Sequence, residues 1–181
     1  TQSQRVSRVA LQLFNKLIQN SFYESHLVQR LKRKLSWAAS MHEVGFAISH
    51  SDYHKHGAYI LENADLLGFS MQELQRLGLL VLGHRGKLRK LDADFEEAEF
   101  IKMLFALRVA VILCHARKNP DQSGLEMFCN DKEKVFTLEA DADWIENYPQ
   151  SAHLLRQEVM AWQKTAWTFA FIHSSRIKHP A

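Results

Sequence analysis

Histidine is concentrated in one short stretch of the chain, residues 41–61, with the sequence MHEVGFAISHSDYHKHGAYIL. Its four histidines are His42, His50, His54 and His56, and Glu43 and Lys55 lie among them. An imidazole can ligate a metal ion, move a proton or, when protonated, contact a phosphate group. Residues four apart share one face of a helix, so His50 and His54 could converge, whereas His56 could not join them. A zinc site needs further ligands and no cysteine is near, so the spacing alone indicates zinc only weakly.

Two short basic runs accompany this histidine cluster. The first, QRLKRK at 29–34, contains four basic residues, and the second, GHRGKLRK at 83–90, contains His84, Arg85 and three more basic residues. A solvated face is the simplest interpretation of one such run, but two of them beside the histidines favour a surface that binds a polyanion. Tyr53 and Tyr59 are the only aromatic residues close to the basic residues of the cluster, and no recognised nucleic-acid module occurs, so nucleic acid is not expected as a partner.

The composition is that of an ordinary globular protein. The chain has 181 residues, of which 46% are hydrophobic and 24% charged, so it can bury a core of its own. No apolar run approaches the roughly 20 residues that a membrane span requires, so no transmembrane segment is expected. Cys114 lies in an apolar helical run, where a buried free thiol is more common than a disulfide. We expect a cytoplasmic location, and peripheral attachment to the inner face of the membrane is kept open.

Helical periodicity dominates the first 118 residues. Helices are predicted over 5–20, over 24–47 as one bent helix or two, and over 56–64, 70–84 and 95–117. Ser70 followed by Glu73 forms a capping-box pattern, which predicts that a helix begins there. The helical period is present from residue 5 onwards, and we therefore hypothesise that the chain is a piece of a longer protein.

The pattern changes after NPDQSG at 119–124, the clearest run of helix-breaking residues. LEMFC and KVFTLEA alternate in polarity and are joined by NDKE, which predicts a β-hairpin. A helix over 149–164 and a third strand over 166–172 follow. The expected fold is mainly α, with an all-helical domain over residues 1–118 and a small α+β subdomain over residues 119–181.

The segment AASMHEVG, residues 38–45, resembles the signature of the HD phosphohydrolases, in which a His-Asp pair binds a metal ion that activates water. Three ligands expected from that resemblance are changed or missing: the pair is His42-Glu43, residues 1–25 contain no histidine, and Val111 occupies the place of a late-helix aspartate. We therefore expect an HD-like helical domain with a degenerate motif and no metal site. An active HD-type metal phosphohydrolase is kept as an alternative.

A longer stretch, residues 37–86, is similar to the C-terminal region of the exopolyphosphatase/guanosine pentaphosphate phosphohydrolase family. The similarity includes His-Glu-Val-Gly at 42–45, HSDYHKHGAYI at 50–60, Gly-Phe at 68–69 and a helix that ends in His-Arg at 84–85. In that family the catalytic site lies in two N-terminal actin-like domains with phosphate-binding loops and Mg²⁺. The chain has only seven glycines and no Gly-rich phosphate loop, so no catalytic residue is expected in it.

The resemblance implies that this chain is the polyphosphate-binding and dimerisation portion of an exopolyphosphatase, an enzyme that releases orthophosphate from the ends of inorganic polyphosphate. We expect the chain to form a homodimer. We expect no cofactor in this chain and no activity of the chain alone, whereas the whole enzyme should need Mg²⁺. The same portion of a guanosine pentaphosphate phosphohydrolase is the first alternative, although the intact HSDYHKH run favours polyphosphate. A dimerisation module without a ligand is a further alternative.

The expected polyphosphate-binding residues are His50, His54, Lys55, His56, His84 and Arg85. A polyanion is best held by several cationic donors in sequence, Lys as a point charge, Arg as a fork and His as a donor that becomes charged near neutral pH. Binding is therefore expected to weaken with salt and to strengthen as the pH falls through about 6.5, the ordinary pKa of histidine.

Overall fold

Seven α-helices, two short 3-10 helices and one small sheet make up the secondary structure of residues 1–174, the part of the chain that the computed structural model describes. The α-helices are α1 (Gln2–Leu17), α2 (Ser25–Met41), α3 (Tyr53–Glu62), α4 (Met71–Gly83), α5 (Ala98–Leu113), α6 (Ala142–Asn147) and α7 (Pro149–Trp162). The 3-10 helices are Val44–Ala47 and Leu88–Lys90. The expected mainly α fold, followed by a small α+β part, is confirmed.

The sheet contains β1 (Leu125–Asn130), β2 (Val135–Ala140) and β3 (Thr168–His173) in that spatial order. Strands β1 and β2 form the expected antiparallel hairpin. Strand β3 is the expected third strand, and it pairs in parallel with β2 after the chain has returned through α6 and α7. The predicted end of the α+β subdomain, residues 175–181, lies outside the described residues.

Helix α4 begins where the sequence predicts. The Ser70 hydroxyl accepts a hydrogen bond from the backbone N–H of Glu73 (3.1 Å), and the Glu73 carboxylate accepts one from the backbone N–H of Ser70 (2.8 Å). This capping box satisfies backbone donors that would otherwise be unpaired at the helix start. It fixes the beginning of a helix whose far end carries His84 and Arg85.

Helix α5 is the central element of the fold and is buried on almost every side. Such a helix needs apolar residues all round, and FIKMLFALRVAVIL supplies them apart from Lys102 and Arg108, which are themselves buried. Lys102 donates hydrogen bonds to the hydroxyls of Ser21 and Tyr23 and forms an ion pair with Asp131 (2.6 Å). It thereby links α5 to the α1–α2 connection and to the β-hairpin.

The helical part and the α+β part share one hydrophobic core. Phe105 of α5 stacks on Phe136 of β2, with ring centroids 4.0 Å apart, and makes edge contacts with Trp162 and Phe169. Aromatic pairs in such arrangements contribute beyond the area they bury. The division into domains at 118/119 stays a prediction, and the shared core indicates that the two parts are stabilised together.

Three local features differ from the sequence prediction. Helix α3 begins at Tyr53 and not at His56, so His54, Lys55 and His56 lie in its first turn. Helix α5 spans 98–113 instead of 95–117, and the short α6 was not predicted. No helix within residues 1–174 has the length and apolar character needed to cross a membrane.

Candidate anion-binding site

A cavity of about 520 Å³ opens between the first turn of α3 and the segment that follows α4, and we call it the α3–α4 cavity. Its charged lining residues are Asp52, Lys55, Arg85, Lys87, Lys90 and Arg108, and His54 also lines it. Asp52 is the lone carboxylate among them, and it lies 3.2 Å from the ammonium group of Lys55. The lining is therefore strongly cationic.

The turn after α4 depends on a glycine. Gly86 has φ = +83°, in the left-handed region that favours glycine over residues with a Cβ. A Cβ at this position would also lie 3.3 Å from Nε2 of His54. Gly86 thus allows the chain to turn sharply after α4 and brings Arg85 and Lys87 to the same cavity as His54. Leu88, which is buried, holds the following 3-10 helix against the core.

His54 presents an unusual polar atom beside this cavity. Its side chain is only 8% exposed, and Nδ1 has no hydrogen-bond partner within residues 1–174. Burial, and then the positive charge of Arg85, lowers the pKa of His54 below its ordinary value. A buried polar atom without a partner costs free energy, which a hydrogen bond from a ligand or water would recover. Nδ1 of His54 is therefore an unsatisfied atom that the described part of the protein encloses, although other atoms of His54 line the cavity.

His84 lies beneath the cavity surface and is 2% exposed. Its Nδ1 contacts the carbonyl of Val81, and its Nε2 lies 3.1 Å from the Tyr53 hydroxyl. A neutral imidazole that donates from Nδ1 to the carbonyl must accept at Nε2 from Tyr53. Burial holds the pKa of His84 well below its ordinary value, and the nearby His42 adds to this effect. Both ring nitrogens of His84 are thus engaged inside the protein.

Arg85 is supported by the same group of residues. Its guanidinium lies over the ring of Tyr53, 4.9 Å from the ring centroid, an arrangement in which cation and π-system attract each other. His84 orients Tyr53, and Tyr53 provides the surface on which Arg85 lies. Any contribution of His84 to binding would therefore pass through Tyr53 and Arg85, and the predicted role of His84 in binding stays a prediction.

The structure brings together only some of the predicted binding residues. His54, Lys55 and Arg85 line the α3–α4 cavity, whereas His50 and His56 do not. His50 is exposed, and its ring contacts that of Phe46 at 4.7 Å. Whether any of these residues binds polyphosphate stays a prediction. The pKa values of His54 and His84 are lowered, so these two residues become protonated only at lower pH. We therefore expect them to contribute less than other histidines to any strengthening of polyphosphate binding near pH 6.5.

Three further cations line the cavity: Lys87, Lys90 and Arg108. The two lysines had a signal in the sequence, since both belong to the basic run at 83–90. Arg108 had none, because an arginine inside the apolar run FALRVAVIL does not suggest a position beside a surface cavity.

His42 and Glu43, the two residues of the degenerate HD motif, form hydrogen bonds with other groups of the protein. His42 is buried, and its Nδ1 lies 2.6 Å from the carbonyl of Ala39. Burial lowers the pKa of His42. Arg117 holds the Glu43 carboxylate through two hydrogen bonds, of 2.9 and 3.3 Å. Within residues 1–174, no group of three or more His, Cys, Asp or Glu side chains is placed to hold a metal ion. The expectation that this motif binds no metal stays a prediction.

Comparison with known protein families matches residues 1–159 to the family described as Ppx/GppA phosphatase, domain III. This chain belongs to the Ppx/GppA phosphatase family. The family expected from residues 37–86 is therefore confirmed. The matched part of this Ppx/GppA chain contains every described residue that lines the α3–α4 cavity, and it extends past the predicted division at 118/119 into α7.

Three curated relatives of this Ppx/GppA chain share the name guanosine-5'-triphosphate,3'-diphosphate pyrophosphatase. The relative from Pseudoalteromonas translucida is 36% identical over 138 residues, which cover 74% of this chain and 27% of the relative. Those from Aeromonas hydrophila and Pseudoalteromonas atlantica are each 30% identical over 171 residues, which cover 91% and 92% of this chain and 33% of each relative. The chain therefore spans about a quarter to a third of the length of these relatives.

Proposed function

We propose that this chain is the accessory, phosphate-chain-binding part of a Ppx/GppA phosphatase, and that it binds inorganic polyphosphate in the α3–α4 cavity. The observation that carries the proposal is the cationic lining of that cavity, in which Asp52, the one carboxylate among the described lining residues, is already paired with Lys55. A ligand with a negative charge on every unit would meet Lys55, Arg85, Lys87 and Lys90 in turn.

The chemistry of the lining suits a chain of phosphates. Lysine attracts phosphate as a point charge and arginine can hold two of its oxygens at once. His54 also lines the cavity, but its Nδ1, which has no partner among residues 1–174, is buried and not open to a ligand in this structure. Among the described residues that line the cavity, none is Phe, Tyr or Trp. The cavity thus offers many contacts to phosphate, and the imidazole of His54 is the one ring among its described lining residues on which a base could stack.

A second candidate ligand is guanosine 5'-triphosphate 3'-diphosphate, and the names of the relatives favour it. Its phosphate groups would use the same cationic side chains. The two candidates differ in what must bind besides phosphate, since the nucleotide brings a guanine base and a ribose.

The parent enzyme, in this proposal, releases orthophosphate from its substrate at a site formed by residues outside this chain. The Mg²⁺ expected for that reaction would be held there as well, because the described residues present no cluster of carboxylates suited to it. Homodimer formation and a cytoplasmic location stay predictions, which size-exclusion chromatography and cell fractionation would test.

Binding of long polyphosphate to the purified chain, at low and at moderate salt, tests the proposal. The double variant His54→Ala with Lys55→Ala should bind at least about tenfold more weakly, because charge-assisted hydrogen bonds contribute roughly 1.5–3 kcal/mol each. The slope of log affinity against log salt should become shallower by about 0.7–0.9 for each phosphate that the variant no longer neutralises.

The matched control is His153→Ala with Lys132→Ala, which removes the same two residue types from exposed positions outside the cavity and outside both basic runs. Unchanged affinity of a folded His54/Lys55 variant would show that the cavity is not the binding site. Competition then separates the two ligands: displacement of polyphosphate by a large excess of inorganic tripolyphosphate but not by the guanosine nucleotide supports the first candidate. Displacement by the nucleotide at much lower concentration supports the second.

A further inference from the structure

Arg108, near the middle of α5, connects three elements through one buried guanidinium, which is 4% exposed. Nη1 donates a hydrogen bond to the carbonyl of Gly83 (2.7 Å), and Nη2 donates one to the carbonyl of Gly86 (3.1 Å). These two carbonyls lie at the two ends of the turn that follows α4. One side chain therefore holds both ends of the turn that carries Arg85.

Glu158 of α7 holds Arg108 in turn. Its carboxylate accepts hydrogen bonds from Nε (2.5 Å) and Nη2 (3.1 Å) of Arg108, and it also accepts one from the indole N–H of Trp162 (2.8 Å). Glu158 is 6% exposed. The orientation of the guanidinium is thus fixed from α7 as well as from the turn.

Stability alone is a weak explanation for such a pair. Removing two charges from water is costly, and replacing a buried ion pair with apolar residues of similar size is often neutral or stabilising. A bidentate arginine pair does, however, fix geometry well, because the planar fork accepts only a narrow range of orientations.

We propose that Arg108 and Glu158 are positioning residues that hold the turn at 83–87 so that Arg85 and Lys87 face the α3–α4 cavity. The proposal rests on the function proposed above and adds a role for α7, which follows the run of helix-breaking residues at 119–124. Phosphate binding by the cationic turn would then depend on the packing of α7 against α5.

Simple electrostatic attraction and the positioning role predict opposite effects of Glu158→Gln on the affinity for polyphosphate. This change removes a negative charge close to a cationic cavity, so attraction alone predicts tighter polyphosphate binding. Positioning predicts weaker binding, because the amide can accept only part of the bidentate interaction and Arg108 is no longer held in one orientation. Glu158 does not line the α3–α4 cavity, so the change removes no group that would touch the ligand there.

The experiment compares Glu158→Gln and Arg108→Lys, which keeps the positive charge, with two matched controls. Arg76 and Glu97 form another two-bonded Arg–Glu pair, outside the cavity, so Arg76→Lys and Glu97→Gln make the same chemical changes elsewhere. For each protein, polyphosphate affinity is measured at several salt concentrations. Hydrogen–deuterium exchange of the backbone amides at 83–87 reports on the turn itself.

Both Arg108→Lys and Glu158→Gln should bind polyphosphate several-fold more weakly than the parent chain. Their salt slope should be shallower by about 0.7–1.8, the value for one or two fewer neutralised phosphates. Amide exchange at 83–87 should be faster in Arg108→Lys and Glu158→Gln than in the unsubstituted chain. The two control variants should keep the salt slope and the exchange rate at 83–87 of the unsubstituted chain. A loss of overall stability without a positioning role would raise exchange throughout the core and leave the slope unchanged.

Tighter binding by Glu158→Gln, or unchanged exchange at 83–87 in both variants, would overturn the positioning role even if the parent chain binds polyphosphate. Failure of the proposed function would be a different outcome from failure of the positioning role. If the parent chain itself does not bind polyphosphate, the function proposed above is wrong and the turn positions no phosphate-binding group.

Discussion

Three buried histidines should make the fold lose stability as the pH falls below about 6.5, the pKa of a histidine in an unfolded chain. Burial lowers the pKa of His42, His54 and His84 in the folded protein. Between the lowered value and the ordinary one, the unfolded chain binds protons that the folded chain does not. Stability therefore decreases with acidification in this window, and it is independent of these groups above it.

The size of the effect follows from proton linkage. Each histidine can contribute at most about 1.4 kcal/mol per pH unit, so the three together can contribute at most about 4 kcal/mol per unit. A domain with a typical stability of about 5–15 kcal/mol would lose a substantial part of it within about one to two pH units. Asp52 and Glu73, whose pKa values are lowered by hydrogen bonds, begin to destabilise the fold only near and below their ordinary values of 3.8 and 4.5.

Urea unfolding between pH 5 and pH 8 measures this slope directly. We expect a free energy of unfolding that is flat above pH 7 and falls below it. His84→Gln should remove more than one third of the fall, because one of three groups no longer takes up a proton and the pKa of His84 lies furthest below its ordinary value. His153→Gln, an exposed position on α7, is the control. A parent chain whose stability is constant or rises on acidification to pH 5 would refute this reasoning, as would an unchanged slope in a folded His84→Gln variant.

Further predictions concern the shared core, metal and catalysis. Phe105→Ala should lower the free energy of unfolding by about 3–5 kcal/mol, and the helical and sheet signals should disappear in a single transition. Phe22 is fully exposed, so Phe22→Ala should lower the free energy of unfolding by less than about 0.5 kcal/mol. Separate transitions for helix and sheet would contradict the shared core. After dialysis the chain should retain no stoichiometric Zn, Mn or Fe by elemental analysis, and a retained metal that His42→Ala removes would contradict this. The chain alone should release no orthophosphate from polyphosphate in a colorimetric assay, and steady release by pure material would show that it contains a catalytic site.

Much of the fold could be predicted because its signals are local. Helical periodicity, the Ser70–Glu73 capping box and the alternating strands all depend on residues close in sequence. The start of α3 could not be predicted, because Asp52 precedes it with φ = +53° and makes no side-chain cap. Helix α6 has only six residues, too few to show a period, although the Asp141 carboxylate caps it by accepting from the backbone N–H of Trp144.

The candidate site was less predictable because it depends on contacts between distant segments. Lys55 and Arg85 could be grouped from their basic surroundings in the sequence, and the structure places both at one cavity. His84 belongs to the same run as Arg85, but the end of α4 directs it inward to Val81 and Tyr53. Arg108 carried no sequence signal, since its partners on α7 and on the turn lie 22 to 50 residues away.

The parallel pairing of β2 with β3 has a consequence for the order of folding. Val135 pairs with Thr168, so the sheet closes only after α6 and α7 have brought these positions together. Pairings between residues distant in sequence form slowly, because loop closure costs entropy before any favourable interaction forms. We therefore expect a folding intermediate in which the helices have assembled while the β1–β2 hairpin still has an open edge at Phe136. Such an edge can pair with another chain, and it makes refolding at high protein concentration prone to aggregation.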